Sequence, residues 1–243
     1  MCIRDSYRLV FGAGGSIDAS TDLEHMVSQI RVLCGEDNAK GFRKYIEDNR
    51  TKLDLSKNCL NSPWRGPTDL LSRRAMRVAK VLRPWRSVSS DLSKVFSDER
   101  MQLAMSFQTK YLGMSPFQAP SLFTILAYLE YEHGVFHAEG GLGSITQKMG
   151  EIARDLGVDI RLNEPVNDFV FEGKKVVGAI TENGTYTADK FVMNVDFATG
   201  MKGLIPDKLR KKWSNKKLDE KSYSCSTYML YLGLDKLYDT PHH

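Results

Sequence analysis

The stretch from Gly134 to Asp196 constrains the fold of this 243-residue chain more than any other. It opens on a glycine-rich turn, and Ser144 with Gln147 forms a capping box that predicts the start of a helix. Apolar residues at helical spacing give that helix one apolar face. Alternating apolar residues then predict a strand at 158–162, a β-meander over 166–189 and a last strand at 191–196. This order of elements indicates an α/β fold.

A turn, a helix, a strand and a meander in this order are typical of the second half of a dinucleotide-binding domain. The first half would carry a strand, a Gly-x-Gly-x-x-Gly loop and a helix. The nearest match, Gly12-Ala-Gly-Gly15, has Ile17 where the third glycine is required, and alternating residues follow it. We therefore interpret residues 7–20 as a hairpin, and the chain as an interior piece of a flavoprotein whose N-terminal βαβ half is missing.

Four further segments carry a resemblance to one family. They begin at Tyr7 (YRLVF), Phe107 (FQTKYLGMSPF), Tyr128 (YLEYEHGVF) and Tyr228 (YMLYLGL). With the Gly134–Asp196 stretch they resemble, in the same order, carotenoid desaturases of the phytoene desaturase type in the flavin-dependent amine oxidase superfamily. The resemblance covers nearly everything after Ser6. It implies FAD, a polyene substrate dissolved in a membrane, and hydride transfer to the flavin.

Related activities on the same scaffold stay open. A carotenoid isomerase, a retinol saturase and a ketolase-like flavoprotein are alternatives within the same superfamily. A non-catalytic, lipid-binding remnant is the alternative from another class of protein.

The resemblance also divides the chain. Residues 1–6 read as the translation of a library adapter and are excluded from the predicted fold. Residues 7–133 are expected to form a substrate and membrane-docking domain, an α+β arrangement of a hairpin and helices. Residues 134–199 are expected to form a partial FAD-binding, Rossmann-like domain with a β-meander. Residues 200–243 would return to the substrate domain and be truncated there.

Charge is concentrated in one segment. The formal net charge is only +4, but 65–86 holds seven basic residues and a single acid, Asp69. Its apolar residues fall on one helical face, so the segment can be a core-facing helix with a solvated basic side or a helix that lies on an anionic membrane. The resemblance favours the membrane. No recognisable nucleic-acid-binding module accompanies the basic run, so no nucleic acid is expected.

The cysteines show no metal-ligand spacing, so no metal site is expected, and free thiols in a reducing compartment are predicted. The expected location is cytoplasmic with peripheral contact to a lipid bilayer. No oligomeric state is assigned.

The cofactor residues are implied by the resemblance. Val166 would present its backbone amide and carbonyl to the adenine of FAD. Asn194 and Asp196 resemble an Asn-Ala-Asp segment near the cofactor, with Val195 as the departure. Gly140 and Gly141 could line the cofactor cavity, or serve only the geometry of a tight turn that allows close packing.

Catalytic and substrate residues follow in the same way. Asp69 stands where the family has a proposed catalytic acid, and a helix cap is the alternative. A polyene tunnel would be lined by aromatic positions that could equally be core residues; the candidates are Phe107, Tyr111, Phe117, Phe136 and His137. His137 departs from the aromatic residue that the family usually carries there. Taken alone, the chain is expected to bind flavin weakly and to expose apolar surface.

Overall fold

The computed structural model describes residues 2–5, 7–61 and 73–238. Its strands are β1 (Cys2–Asp5), β2 (Arg8–Val10), β3 (Ser16–Asp18), β4 (Val135–Ala138), β5 (Asp168–Glu172), β6 (Lys175–Thr181) and β7 (Gly184–Thr187). Its α-helices are α1 (Leu23–Cys34), α2 (Glu36–Leu60), α3 (Arg73–Leu82), α4 (Val88–Leu92), α5 (Glu99–Ala104), α6 (Thr124–His133), α7 (Leu142–Asp155), α8 (Phe197–Leu204) and α9 (Asn215–Asp219). Short 3₁₀ helices lie at Phe107–Leu112, Ser121–Phe123 and Asp207–Leu209. This mixture of helices and strands confirms the predicted α/β class.

The chain forms two compact units. One contains the described residues up to Ser144 together with those from Ser224 onward, and the other contains Ile145–Tyr223. The division does not test the domain boundaries expected from the sequence, which stay a prediction.

The glycine turn near the start of the first unit is a hairpin, as predicted. Strands β2 and β3 pair antiparallel, with Leu9 opposite Ile17. Gly14 and Gly15 have φ angles of 95° and 88°, which residues with a Cβ rarely adopt. The hairpin reading of this glycine cluster is therefore confirmed, and Ile17 is fully buried in the core.

Helices α1, α2 and α6 supply most of the core of this unit. Apolar residues at helical spacing turn inward from α1 and α2 and pack against aromatic residues of α6; the buried set includes Met26, Ile30, Phe42, Tyr45, Ile46, Tyr128 and Tyr131. The Phe42 ring meets the Tyr131 ring edge to face, with centroids 5.6 Å apart. The Tyr45 hydroxyl donates to the carbonyl of Thr124 at 2.5 Å, so the one polar atom of that ring is satisfied.

Strand β4, which leads into the second glycine turn, has a partner at the chain start. It pairs antiparallel with β1, and Ile3 lies opposite His137. Residues 2–5, which were excluded from the predicted fold, thus form a strand in the structure.

The second unit is built on the predicted meander. Strands β5, β6 and β7 form an antiparallel sheet in sequence order. Glu182-Asn183 makes the turn before β7, whose first residue, Gly184, lies opposite Thr181. Gly173 makes the other turn with φ 61°. The meander interpretation is confirmed.

Helix α7 begins three residues earlier than a cap at Ser144 predicts. The Ser144 hydroxyl donates to the carbonyl of Gly141 at 2.7 Å instead of accepting from the helix amides. The capping-box prediction was therefore wrong, because a serine hydroxyl can equally bond back to a carbonyl of the preceding turn. The apolar face of α7 exists as predicted but faces solvent; it includes Leu142, Ile145, Met149 and Ile152.

Two predicted strands do not form. Residues 158–162 and 191–196 have no strand assignment, and Val192 is 94% exposed. A β-strand needs a neighbour to accept and donate its backbone hydrogen bonds. No strand of the described chain pairs with these segments, so their alternating pattern is not realised as a sheet. The expected exposure of apolar surface is observed in these segments and on α7.

Within 2–5, 7–61 and 73–238, no helix combines the length and the apolar character needed to span a bilayer.

Candidate functional site

The second glycine turn joins β4 to α7. Gly140 and Gly141 both have left-handed φ angles, 83° and 85°, and the amide of Gly141 donates to the carbonyl of Ala138 at 2.9 Å. A Cβ added at Gly141 would meet nothing within 4 Å, and one at Gly140 would meet only the Ser144 side chain at 3.7 Å. The backbone conformation therefore explains both glycines, whereas close packing does not. The open space beside them fits a bound group, and their contact with a cofactor stays a prediction.

Val166 lies in the second unit, just before the meander. Its neighbour Asn167 extends the sheet, because its amide donates to the carbonyl of Ile180 at 2.8 Å. Val166 is 41% exposed, so the residue is accessible from solvent. That accessibility fits the predicted contact with adenine, which the structure does not test.

Asp196 caps a helix. Its carboxylate accepts from the amide of Thr199, at the N-terminus of α8, at 2.8 Å. This backbone hydrogen bond, with the Thr199 side chain as a second donor, holds the pKa of Asp196 below its usual range. Asn194, two residues earlier, is exposed. Asp196 thus has a structural task at the place where a cofactor contact is predicted.

Gly200 is a residue that the sequence reasoning missed. It lies inside α8, where glycine costs about 1 kcal/mol relative to alanine. A Cβ there would lie 2.6 Å from Val195 Cγ2 and 2.9 Å from the Met193 side chain. Gly200 therefore lets the 193–195 segment lie directly on α8. A glycine in a helical pattern was the available signal.

The aromatic tunnel candidates are spread over the first unit. Phe107 and Tyr111 share the 3₁₀ helix at 107–112, where the Lys110 Nζ lies 4.8 Å and 5.7 Å from their ring centroids. Tyr111 and Phe117 are exposed, so the alternative of core packing fails for both. The candidate acid Asp69 lies outside the described residues.

Phe136 and His137 are neighbours on β4, and both are exposed. Successive side chains of a strand point to opposite faces. One face of β4 therefore cannot present both residues to the same tunnel wall.

A polar cluster beside Phe107 was not foreseen. The Tyr7 hydroxyl donates to Glu130 Oε2 at 2.7 Å, and Gln108 Nε2 donates to the same oxygen at 3.0 Å. The Tyr7 ring meets the Phe107 ring edge to face at 5.8 Å. Burial raises the pKa of Tyr7 far above its usual range, with Tyr131 as the next cause. Tyr7 therefore stays protonated and holds its proton toward the Glu130 carboxylate.

Comparison with known proteins decides the family. The sequence model described as flavin containing amine oxidoreductase matches residues 85–227, more than half of the chain. The chain belongs to this family. The matched region includes Gly140, Gly141, Val166, Asn194 and Asp196, and it excludes Asp69.

Individual relatives of this chain carry names that are more specific than the description of the family. It is 35% identical over 238 residues to 4,4'-diapophytoene desaturase (4,4'-diapolycopene-forming) of Methylomonas sp, across 98% of this chain and 46% of that protein. It is 32% identical over 252 residues to all-trans-zeta-carotene desaturase of Myxococcus xanthus, across 97% of this chain and 45% of that protein. It is 28% identical over 245 residues to 4,4'-diapolycopen-4-al dehydrogenase of Metabacillus indicus, across 99% of this chain and 48% of that protein.

The chain spans about half the length of these curated relatives. The resemblance to carotenoid desaturases is thereby confirmed along nearly the whole chain. The description of the family names flavin as the cofactor of its members.

Proposed function

We propose that this chain is part of an FAD-dependent oxidoreductase that introduces double bonds into a long polyene. The observation that carries the proposal is the similarity, over 97% or more of the chain, to two relatives named as desaturases of different polyenes. Family membership supplies the flavin, and FAD is the form we propose. We infer the polyene substrate, and the oxidation of its CH–CH bonds, from the names of these relatives.

The chain's own residues would contribute to cofactor binding. Bound FAD supplies the hydride acceptor that the protein side chains lack. The backbone of Val166 would hold the adenine. The turn at Gly140 and Gly141, with its left-handed backbone, would line the cofactor cavity. Asp196 would act indirectly, by fixing the start of α8 and with it the 194–196 segment.

Val166 offers a direct test of cofactor binding. The protein expressed from its complete reading frame should retain bound flavin in Val166→Ala, because the contact is made by the backbone. Val166→Pro should lose it, because proline has no N–H to donate. Flavin released by heating and measured by absorbance, per mole of folded protein, separates the two variants. Equal flavin content in both would contradict the adenine role.

We also propose peripheral contact with a membrane, which a polyene substrate would require. Helix α3 and the turn after it support this, since Met76 and Trp85 are exposed beside a basic run. Exposed Trp and Met can insert at a bilayer surface while basic residues meet anionic lipid.

Trp85→Ala should weaken binding to vesicles that contain phosphatidylglycerol by several-fold in a flotation assay. The control is Tyr238→Ala, which removes another exposed aromatic side chain, away from the basic run in the sequence. Equal loss in both variants, or no binding by the parent protein, would contradict membrane contact through α3.

A second candidate is oxidation at the end of a polyene. One relative is named as a diapolycopen-4-al dehydrogenase, and its identity to this chain is 28%, against 35% for the first desaturase. The higher identity favours desaturation. Product analysis by mass distinguishes them, because desaturation removes two hydrogens whereas aldehyde oxidation adds one oxygen.

A further inference from the structure

A cavity in the first unit is lined by none of the candidate cofactor, catalytic or substrate residues. It is bounded by α2, the turn after α3, α4 and the start of α6, and its volume is about 230 Å³. Four cationic side chains line it, Lys44, Lys52, Arg83 and Lys94, together with the carboxylates of Asp48 and Asp91. The lining therefore carries a surplus of two positive charges.

The floor of the cavity is a buried ionic network. Lys52 is 1% exposed, and its Nζ donates to Thr124 Oγ1 at 3.0 Å and contacts Asp48 Oδ2 at 3.1 Å. Asp91 Oδ2 lies 3.7 Å from the same Nζ and also accepts from the Ser121 hydroxyl. The two carboxylates thus pair with Lys52 and Arg83, and Asp91 also with Arg86 outside the lining, and they hold these cations in fixed positions.

Arg83 is held in a conformation that is unfavourable for its residue type. Its φ is 48°, and Pro84 follows it. A left-handed residue after a helix is usually glycine, and a following proline restricts the backbone further. The guanidinium nevertheless lies in the cavity wall, with Nε 3.4 Å from Asp91 Oδ2 and Nη2 bonded to Asp48. Backbone strain of this kind is concentrated where a side chain has a specific task.

The rim carries the charge that is not neutralised. Lys44 and Lys94 are exposed, and neither makes an ion pair with any residue of the described chain. Lys44, Asp48 and Lys52 follow at intervals of four along α2, so they share one face of the helix. The cavity therefore has an ion-paired interior, and at its mouth are two ammonium groups that have no ion-pair partner among the described residues.

We propose that this cavity binds a doubly charged phosphate monoester, as a free anion or as the headgroup of a lipid. A dianion matches the surplus of two charges, and phosphate oxygens suit both the fork of Arg83 and the point charges of the rim lysines. The cavity is large enough for a phosphate group with the first atoms of its ester. The site is separate from the flavin and polyene chemistry, so it does not depend on the proposed function.

Inorganic phosphate is the first probe, titrated into the full chain in chloride buffer by isothermal calorimetry. We expect one phosphate per chain. Lys44→Gln combined with Lys94→Gln should weaken its affinity roughly five- to tenfold, because each removes one exposed charge contact. Lys40→Gln removes the same charge from α2 one turn away, outside the cavity, and should leave the affinity unchanged. Both lysines of the double variant are exposed, so its melting temperature without phosphate should match the parent.

An absence of phosphate binding, or equal weakening by the double variant and by Lys40→Gln, would overturn the proposal. Vesicles of phosphatidylcholine with and without phosphatidic acid then separate the two sources. A lipid headgroup is supported if vesicle binding requires phosphatidic acid, requires Lys44 and Lys94, and is displaced by soluble phosphate. Phosphate binding without such vesicle binding supports a free phosphate monoester.

Discussion

Removal of the Asp91 carboxylate should destabilise the first unit more than any surface charge change. Asp91 and Lys52 are both almost fully buried, with side-chain exposures of 6% and 2%. Breaking a buried ion pair costs about 3–5 kcal/mol because it leaves an uncompensated charge. Lys52 keeps its contact with the half-exposed Asp48, so we expect Asp91→Asn to lower the free energy of unfolding by about 2–3 kcal/mol.

A second substitution isolates the cause. Lys52→Met fills a similar volume without a charge, so the double variant Asp91→Asn with Lys52→Met should recover most of the loss. The matched control is Asp54→Asn on the same helix, whose partner Lys57 is exposed, and it should cost less than about 0.5 kcal/mol. Urea unfolding followed by circular dichroism measures all of these variants.

The pH dependence of Asp91→Asn gives a further check. Burial already lowers the pKa of Lys52 in the parent protein, with repulsion from Arg83 adding to it. Because the folded state then binds this proton less tightly than the unfolded state, stability rises as the pH rises through the folded pKa. In the variant, the charge of Lys52 has one carboxylate partner fewer. The variant should therefore regain stability as the pH approaches about 10, where lysine loses its proton. A loss below 0.5 kcal/mol, or a double variant as unstable as Asp91→Asn, would refute the reasoning.

Two more predictions concern other parts of the chain. Gly200→Ala should destabilise the second unit by about 1–3 kcal/mol, since its Cβ would overlap Val195, whereas Gly203→Ala in open space on α8 should be neutral or stabilising; thermal unfolding compares them, and equal effects would contradict the packing argument. Arg100 lowers the pKa of Asp98 to about 2. Asp98 therefore contributes stability that is fully present above its unfolded pKa, near 4, and is lost as the pH falls toward 2. Unfolding free energies measured from pH 4 to 2 should fall less steeply in Asp98→Asn, and an unchanged slope would exclude this role.

Local features were predictable from the sequence. The hairpin at β2 and β3 and the meander of β5 to β7 each join segments that are adjacent in sequence and are marked by glycine turns. The residues 158–162 carry an equally clear alternating pattern, yet they form no strand. Periodicity indicates which side chains can share a face, whereas a strand also needs a partner whose position the pattern does not contain.

Among the site residues, those marked by a local pattern were predictable, and those joined by long-range contacts were not. The turn glycines Gly140 and Gly141 were found because their local pattern demands a special backbone. Tyr7 and Glu130 are 123 positions apart, and Lys52 and Thr124 are 72 positions apart, so no spacing rule brings them together. Contacts of that kind are set by how segments distant in sequence pack together, which only the folded structure shows.

We propose that this chain is part of a flavin-dependent enzyme that desaturates a polyene. The most direct measurement is an anaerobic single turnover of the protein expressed from its complete reading frame, with oxidised flavin bound and diapophytoene or phytoene in liposomes. We expect the oxidised-flavin absorbance to be lost at the same rate as a longer conjugated polyene appears, with one flavin reduced per double bond formed. Unchanged flavin and polyene spectra with both substrates, from a protein that holds stoichiometric flavin, would contradict this proposal.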